Sequence, residues 1–390
     1  MEKNKTCLSC GKVLQEEENV CSSCGGIHWK YLPQERNITD VALVRKSGQY
    51  FYIDQTGTPI SWERYANAQS FSGNLAAVQV DGKWGYIDKT GTMVIPPRFA
   101  WAKGFSWGMA AVSENGTDWG FINTTGKLAI PCRKEWEYAG DFHDCYARVK
   151  CDGKYGFLNI NQWGEGYVDL AIPADWVKAG EFSDCLAWVE GESRYPLQKC
   201  CGCVDTHGQL AIPLKFMEMG SGFGGSNALV QGVKIHRIDR KGNKEITFRK
   251  KGWDLLYPPR RFGRRIHVAK FVKSIWWSSS EEGYDEEDLE TRHGFIDDDG
   301  KLCIPCTWEN VKDFAEGLAA VQKNELWGYI NQDGKTVIPC RWSECGSFSR
   351  DLAAVAAYNR WGFINREGRE VIPLQYDWAA PFVFVNGPQW

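Results

Sequence analysis

The stretch Lys83-Trp84-Gly85-Tyr86-Ile87-Asp88, followed by Gly91 and then by Val94-Ile95-Pro96, decides how this chain is read. Alternation along a strand puts Trp84 and Tyr86 on one face, with Gly85 and Ile87 on the other. Both faces are apolar or small, so such a strand needs cover on two sides. Asp88 stands just before a turn, where a short carboxylate bonds nearby backbone N–H groups. Pro96 has no N–H to give to a ladder and is expected to end a strand.

The stretch recurs as Trp119-Gly120-Phe121-Ile122-Asn123, Tyr155-Gly156-Phe157-Leu158-Asn159, Cys201-Gly202-Cys203-Val204-Asp205, His293-Gly294-Phe295-Ile296-Asp297, Trp327-Gly328-Tyr329-Ile330-Asn331 and Trp361-Gly362-Phe363-Ile364-Asn365. Degenerate copies lie at Tyr52-Ile53-Asp54 and Arg237-Ile238-Asp239. The glycine position falls at 51, 85, 120, 156, 202, 236, 294, 328 and 362, which makes nine copies on a basal step near 34 residues. Two steps are longer, with the extra residues expected around Asn161 to Gly166 and between 239 and 293. An Asp-Gly turn such as Asp81-Gly82 joins the preceding strand to the aromatic-Gly strand.

Stacked sheets in a propeller or solenoid supply the double cover that these strands require. The glycine, opposite bulky rings, is expected to let the next unit approach closely, and Trp84, Trp119, Trp327 and Trp361 are expected to lie buried between neighbouring sheets. The 390 residues include 43% hydrophobic and 24% charged side chains, which excludes a wholly disordered or fibrous chain. Nineteen Trp and 41 Gly suit tight turns and aromatic-filled layers better than long amphipathic helices.

The phased pattern resembles the WG-repeat family, also called KWG repeats, of which Lys83-Trp84-Gly85 is a full instance. The resemblance spans about 41 to 385. The expected fold is all-β, an array of about nine such units that is propeller-like, either a closed ring or an open superhelix. Pairing of the first strand, Val41-Ala42-Leu43-Val44, with the last, Phe382-Val383-Phe384-Val385, is one way to close it. Cys201, Ile235 and His293 at the Trp position, and His236 at the Gly position, depart from the family pattern and imply looser units there.

Ahead of the array, Cys7-Leu8-Ser9-Cys10-Gly11 and Cys21-Ser22-Ser23-Cys24-Gly25 form two C-x-x-C knuckles ten residues apart. Each pair can turn two sulfurs toward one point, and four thiolates complete a closed tetrahedral zinc shell with no place for a reacting water. Residues 5 to 27 resemble the short zinc-ribbon modules of bacterial cytosolic proteins, so one structural zinc on Cys7, Cys10, Cys21 and Cys24 is expected. The resulting organisation is a ribbon over 1–30, a linker over 31–40, and the array over 41–390 with a charged insertion at about 240–292. Of the other eleven cysteines, Cys201, Cys203, Cys303 and Cys306 fall in phase with the repeats, and most of the eleven read as small buried hydrophobes, a second metal site being the alternative.

No catalytic constellation emerges. The six histidines lack H-E-x-x-H spacing, Gly220-Ser221-Gly222-Phe223-Gly224-Gly225 is followed by no phosphate-binding lysine, and the repeated Asp and Asn read as turn devices. Charge is strongly segregated: residues 234–273 hold fourteen Lys or Arg against three acids, and 278–292 hold seven acids against Arg292. Arg260, Arg261, Arg264 and Arg265 follow Tyr257-Pro258-Pro259, a segment expected to project from the array and to meet either the adjacent acids or an external anion. A polar start and the lack of any apolar run near the ~20 residues of a bilayer span point to a cytoplasmic chain with no membrane partner.

The expected function is a non-enzymatic scaffold or adaptor that binds another protein through the array. Nucleic-acid binding through the basic insertion and small-ligand reception are the alternatives. On the cysteine reading, the full chain carries about one zinc, and removal of residues 1 to 30 abolishes metal content while the array stays folded; elemental analysis of both proteins checks this.

Overall fold

The computed structural model describes residues 39–162, 169–194, 197–219, 227–231, 235–247, 253–254, 261–262, 265–272, 290–297 and 302–385, with the backbone of short strands at 5–7, 13–14 and 29–31. Sheet 1 consists of Asn67–Ala68, Leu75–Val80, Lys83–Asp88 and Met93–Phe99, each strand antiparallel to the one before. The same order builds sheets 2 (101–133), 3 (138–176), 4 (178–216), 5 (218–247), 6 (253–308), 7 (310–342) and 8 (344–376).

Sheet 9 is composite. Asp40–Lys46 and Gln49–Asp54, from the beginning of the array, receive Trp378–Ala379 and Val383–Phe384 from its end. Residues 59–65 complete its outer edge through the bridges Ile53↔Pro59 and Tyr50↔Tyr65. Phe51 and Ile53 of this sheet pack with Phe363, Ile372 and Tyr376 of sheet 8. Its other face, through Val41, Leu43 and Tyr52, packs with Ala76, Val78 and Ile87 of sheet 1. The array is therefore a ring of nine sheets, closed where its two ends pair.

Packing clusters fill eight of the seams between sheets. Much of the seam between sheets 5 and 6 falls outside the described residues. Trp84 and Tyr86 face sheet 2, and Ile87 faces sheet 9, as alternation requires. Trp84 and Trp327 are buried as expected, but Trp119 and Trp361 are only half-buried. Trp119 opens its strand, beside the hairpin that precedes it, whereas Trp361, like the buried Trp84 and Trp327, is the second residue of its strand.

The repeated glycine has a different cause from the one expected. A Cβ on Gly85 would lie 2.5 Å from the Ile95 carbonyl oxygen and 2.7 Å from the Pro97 nitrogen, both in the fourth strand of the same sheet. Register explains the collision: Trp84 pairs with Phe99 and Tyr86 with Ile95, so the one residue Gly85 faces Pro96, Pro97 and Arg98 across a bulge. Gly120, Gly202, Gly294, Gly328 and Gly362 meet the same backbone at 2.4–2.6 Å. The proline therefore lies within the fourth strand, at its bulge, where no ladder N–H is required.

The turn reading of Asp and Asn holds. Asp88 Oδ1 accepts N–H bonds from Thr90 at 2.9 Å and Thr92 at 3.0 Å, and Asn331 and Asp239 do the same in sheets 7 and 5. Asp81 and Gly82 have φ of 50° and 77°, the left-handed pair of a two-residue hairpin.

The extra residues are distributed otherwise than expected. Part of the first excess lies in the turn after Lys154–Asn159, and part lengthens the hairpin of Leu186–Arg194 with Leu197–Asp205 in sheet 4. The basic segment does not simply project. Arg265–Val272 is the second long strand of sheet 6, paired along its length with Glu290–Asp297, and Arg261–Phe262 hairpins onto it. Ile266, Val268 and Phe271 lend this charged stretch enough β-forming residues to join a ladder. Residues 273–289, which carry most of the acidic run, link these two strands and lie outside the described residues.

Gly328→Ala should lower stability by about 2 kcal/mol or more, because a backbone oxygen blocks the new methyl. Gly82→Ala, with nothing within 4 Å, should cost only about 1 kcal/mol for its left-handed φ; denaturant midpoints of the two variants check the order. Burial raises the Cys203 thiol to about 12 and the Cys345 thiol to about 11, whereas Cys185 is exposed. In thiol labelling near neutral pH, Cys185 should react first and Cys203 and Cys345 only on unfolding.

Candidate functional site

The first strand of each sheet is a sheet edge, and its carbonyls need donors. The preceding sheet supplies them. Tyr52, Tyr86 and Tyr329 hydroxyls donate across their seams to the Gln69, Lys103 and Gly346 carbonyls at 2.7, 2.8 and 2.7 Å. Burial pushes the Tyr86 and Tyr329 phenols well above their ordinary range, so both remain donors. Ser106 and Ser349 hydroxyls reach the Phe142 and Phe382 carbonyls at 2.6 and 2.7 Å. A third donor comes from Gln69 to the Ala102 carbonyl at 2.9 Å, from Lys312 to Cys345, and from Arg148 to Ala179. These bonds link the first strands of successive sheets around the inside of the ring.

Residues at the start of each first strand pair with the end of the second, and so lie on the face that carries the hairpins between second and third strands. Trp378, Asn67, Trp101 and Tyr138 occupy this position in sheets 9, 1, 2 and 3, opposite Arg45, Gln79, Ser113 and Lys150. Trp101 is 54% exposed and Trp378 37%; Asn67 is exposed and Tyr138 half-buried. Tyr358, on the hairpin of the adjoining sheet 8, is 96% exposed with φ 51°, a left-handed position that an aromatic side chain occupies at a cost. Aromatic side chains from sheets 8, 9, 2 and 3 thus lie along one face, with Asn67 between them in sheet 1.

Carboxylates brace this face. Glu137 accepts the Gly153 N–H at 2.8 Å, and Glu309 accepts those of Asn324 and Glu325 at 2.8 Å each. These backbone bonds hold both carboxyls below their ordinary range.

A charged seam adjoins the arc between sheets 3 and 4. Arg148 stands where Ala77, Ala111, Ala320 and Ala354 stand in other sheets, opposite the third-strand aromatic. Its Nη2 lies 2.9 Å from Glu181 Oε1 and its guanidinium lies over the Tyr138 and Tyr155 rings at 5.5 Å. Lys103 Nζ lies 4.2 Å from the Tyr138 ring centroid.

Cys10, Cys21 and Cys24 lie outside the described residues, as does the Cys7 side chain; the Cys7 backbone ends the strand Lys5–Cys7, opposite Trp29. Among the described residues no group of three or more His, Cys, Asp or Glu is placed to hold a metal. Arg260 and Arg264 also lie outside them, and Arg261 and Arg265 are described only as ladder backbone. The aromatic arc escaped the sequence reading although its signal was present. Once the repeats are phased, Trp101, Trp253 and Trp378 share one position with Asn67, Lys178, Asn310 and Glu344, and polar residues at that position mark it as solvent-facing.

Among the described residues no helix is long and apolar enough to cross a membrane. Among solved structures, the chain is similar to one described as a eukaryotic initiation factor, at 10% identity and TM-score 0.59, covering 88% of this chain and 98% of that one. A computationally designed protein, Ika8, matches at 8% identity and TM-score 0.37 over 86% of this chain and 96% of that one. Hsv2 of Kluyveromyces lactis matches at 12% identity and TM-score 0.33 over 59% and 89%. The first likeness concerns the fold alone. No curated protein is detectably similar in sequence. The WG containing repeat pattern matches residues 50–84, 84–117, 119–155, 294–327, 327–357 and 361–387, just over half of the chain. With its glycine-and-bulge unit repeated around the ring, this chain belongs to the WG-repeat family.

Proposed function

We propose that the ring is a non-enzymatic scaffold that binds another protein, and that the docking face is the aromatic arc of Tyr358, Trp378, Trp101 and Tyr138. The exposure of the Tyr358, Trp101 and Trp378 rings carries the proposal. Tyr and Trp bring large, rigid contact area, and they are the side chains that most often dominate protein interfaces. Trp378, Trp101 and Tyr138 stand at one register position in sheets 9, 2 and 3, on strands fixed by ladders, and Tyr358 on the adjoining hairpin, so the partner meets a preformed surface. Tyr358 adds a second argument, because a left-handed turn normally filled by Asn, Asp or Gly holds an aromatic ring in solvent.

The same reading treats the four-cysteine segment as a structural zinc module attached to the scaffold, and the chain as cytoplasmic. The repeated Asp and Asn oxygens are occupied by turn N–H groups, which supports a structural role for them.

The test compares the full chain with a Trp101→Ala, Trp378→Ala, Tyr358→Ala variant whose fold is verified by circular dichroism. Partners captured on each are identified by mass spectrometry, and the affinity of each purified partner is then measured. The expected result is a partner that loses at least tenfold in affinity, about 1.4 kcal/mol, for the variant. Equal affinity of every partner for both proteins would overturn the docking face. Capture of nucleic acid alone, with binding that falls steeply with salt, would favour the basic segment around Arg260, Arg261, Arg264 and Arg265 instead.

A further inference from the structure

The seam between sheets 3 and 4 has an imbalance of charge and hydrogen bonding. Asp141 and Glu181 hold equivalent places in the first strands of these adjacent sheets, one residue before Phe142 and Phe182. Ser70, Gly104 and Ser347 fill that place in sheets 1, 2 and 8, and Asp313 in sheet 7. One guanidinium, Arg148, serves the pair. Its Nη2 is 2.9 Å from Glu181 Oε1 and 3.4 Å from the Tyr138 hydroxyl, while its Nη1 is committed to the Ala179 carbonyl. Glu181 Oε2, Asp141 Oδ1 and Arg148 Nε are all removed from solvent and lack a hydrogen-bond partner, two acceptors against one donor, although the Glu181 side chain as a whole keeps 32% of its surface exposed.

Gly140 leaves room for this arrangement, since a Cβ there would lie 3.2 Å from the Arg148 carbonyl oxygen and 3.5 Å from its Cβ. Lys103, the next cation, is engaged with the Tyr138 and Trp119 rings at 4.2 and 5.7 Å. His143 is exposed.

We propose that closing this seam takes up a proton on Glu181, which makes the junction of sheets 3 and 4 the pH-sensitive joint of the ring. A proton on Glu181 removes a partly buried charge that one guanidinium leaves half-compensated, and with it the repulsion from Asp141. Four charged groups face Glu181: Arg148 from the second strand of sheet 3, Asp141 and His143 from its first strand, and Lys103 from sheet 2. Burial raises the Glu181 carboxyl, Arg148, His143 and Lys103 draw it down, and Asp141 raises it further; the net direction is upward.

The sign follows from linkage. An acid whose pKa is raised in the folded state contributes stability that is complete below its ordinary value and is lost as pH rises through the raised one. The joint is therefore tightest in mild acid and loosens toward neutral pH. One proton released per opening lowers protection by up to about tenfold per pH unit within that window. This inference rests on the seam alone and stands apart from the docking face.

The experiment is hydrogen exchange of the full chain read by mass spectrometry from pH 4.5 to 7.5, corrected for intrinsic exchange. Peptides over 138–149 and 178–189 report on the joint, and peptides over 310–321 and 344–355 report on a seam that lacks the pair. The expected result is protection that falls with pH only at the joint, and Glu181→Gln abolishes the slope. His143→Gln removes a group that draws the carboxyl down, so it moves the transition to higher pH; Asp141→Asn moves it lower. Protection at the joint that does not vary with pH would overturn the proposal, as would the same slope in Glu181→Gln. If that variant does not fold, a transition left in place by both Asp141→Asn and His143→Gln overturns it equally.

Discussion

Among the described residues the sheets are apolar on both faces, except where the seam between sheets 5 and 6 falls outside them, and that constraint governs the rest of the structure. Tyr86 and Ile87, neighbours in one strand, are both fully buried in opposite seams, so no sheet can stand at an end with one face wet. A linear stack of such units would leave two uncovered faces, each a site for aggregation. A ring leaves none. Sheet 9 resolves the problem by drawing its strands from both ends of the array, so that the faces of sheets 8 and 1 are covered by one composite sheet. Asp40 and Arg350 add an ion pair at this closure.

Close packing of sheets around a ring then sets demands within each sheet. The fourth strand must bend, and it does so by placing Pro96-Pro97-Arg98 against a single residue of the third strand. Only a residue without a Cβ fits under that bulge, which is why the glycine persists where the tryptophan beside it is replaced by Cys201 or His293. The first strand carries the opposite burden, with carbonyls that no further strand can satisfy. Tyr, Ser, Gln, Lys and Arg side chains from the preceding sheet satisfy several of them, so six of the seams among the described residues are held by directional bonds as well as apolar contact.

These devices also shape the candidate surfaces. Sheet 3 has Gly140 where Gln69 and Lys312 bridge to the next first strand from sheets 1 and 7, and Arg148 takes over the task from the second strand. Exchanging a small apolar residue for Arg148 satisfies Ala179 but brings charge into the seam, and the charged joint follows from that exchange. The aromatic arc arises more simply. Register fixes one position per sheet at the rim of the hairpin face, and the side chain placed there is free to serve contact because the core does not use it.

The sequence by itself determined the unit, its number and its strand faces. The nine phased copies, the both-sided apolarity of Trp84 to Ile87 and the turn role of Asp88 are local properties, set by alternation and by hydrogen bonds within a few residues. Tertiary structure decided closure, the cause of the glycine, the half-burial of Trp119 and Trp361, and the place of Arg265–Val272 inside a sheet. Each depends on register between strands distant in the chain. The proximity of Arg148 and Glu181 is of the same kind: 33 positions apart, they meet because adjacent sheets stack in phase. Periodicity shows that two residues occupy related positions, but only packed strands show which of their atoms are left without partners.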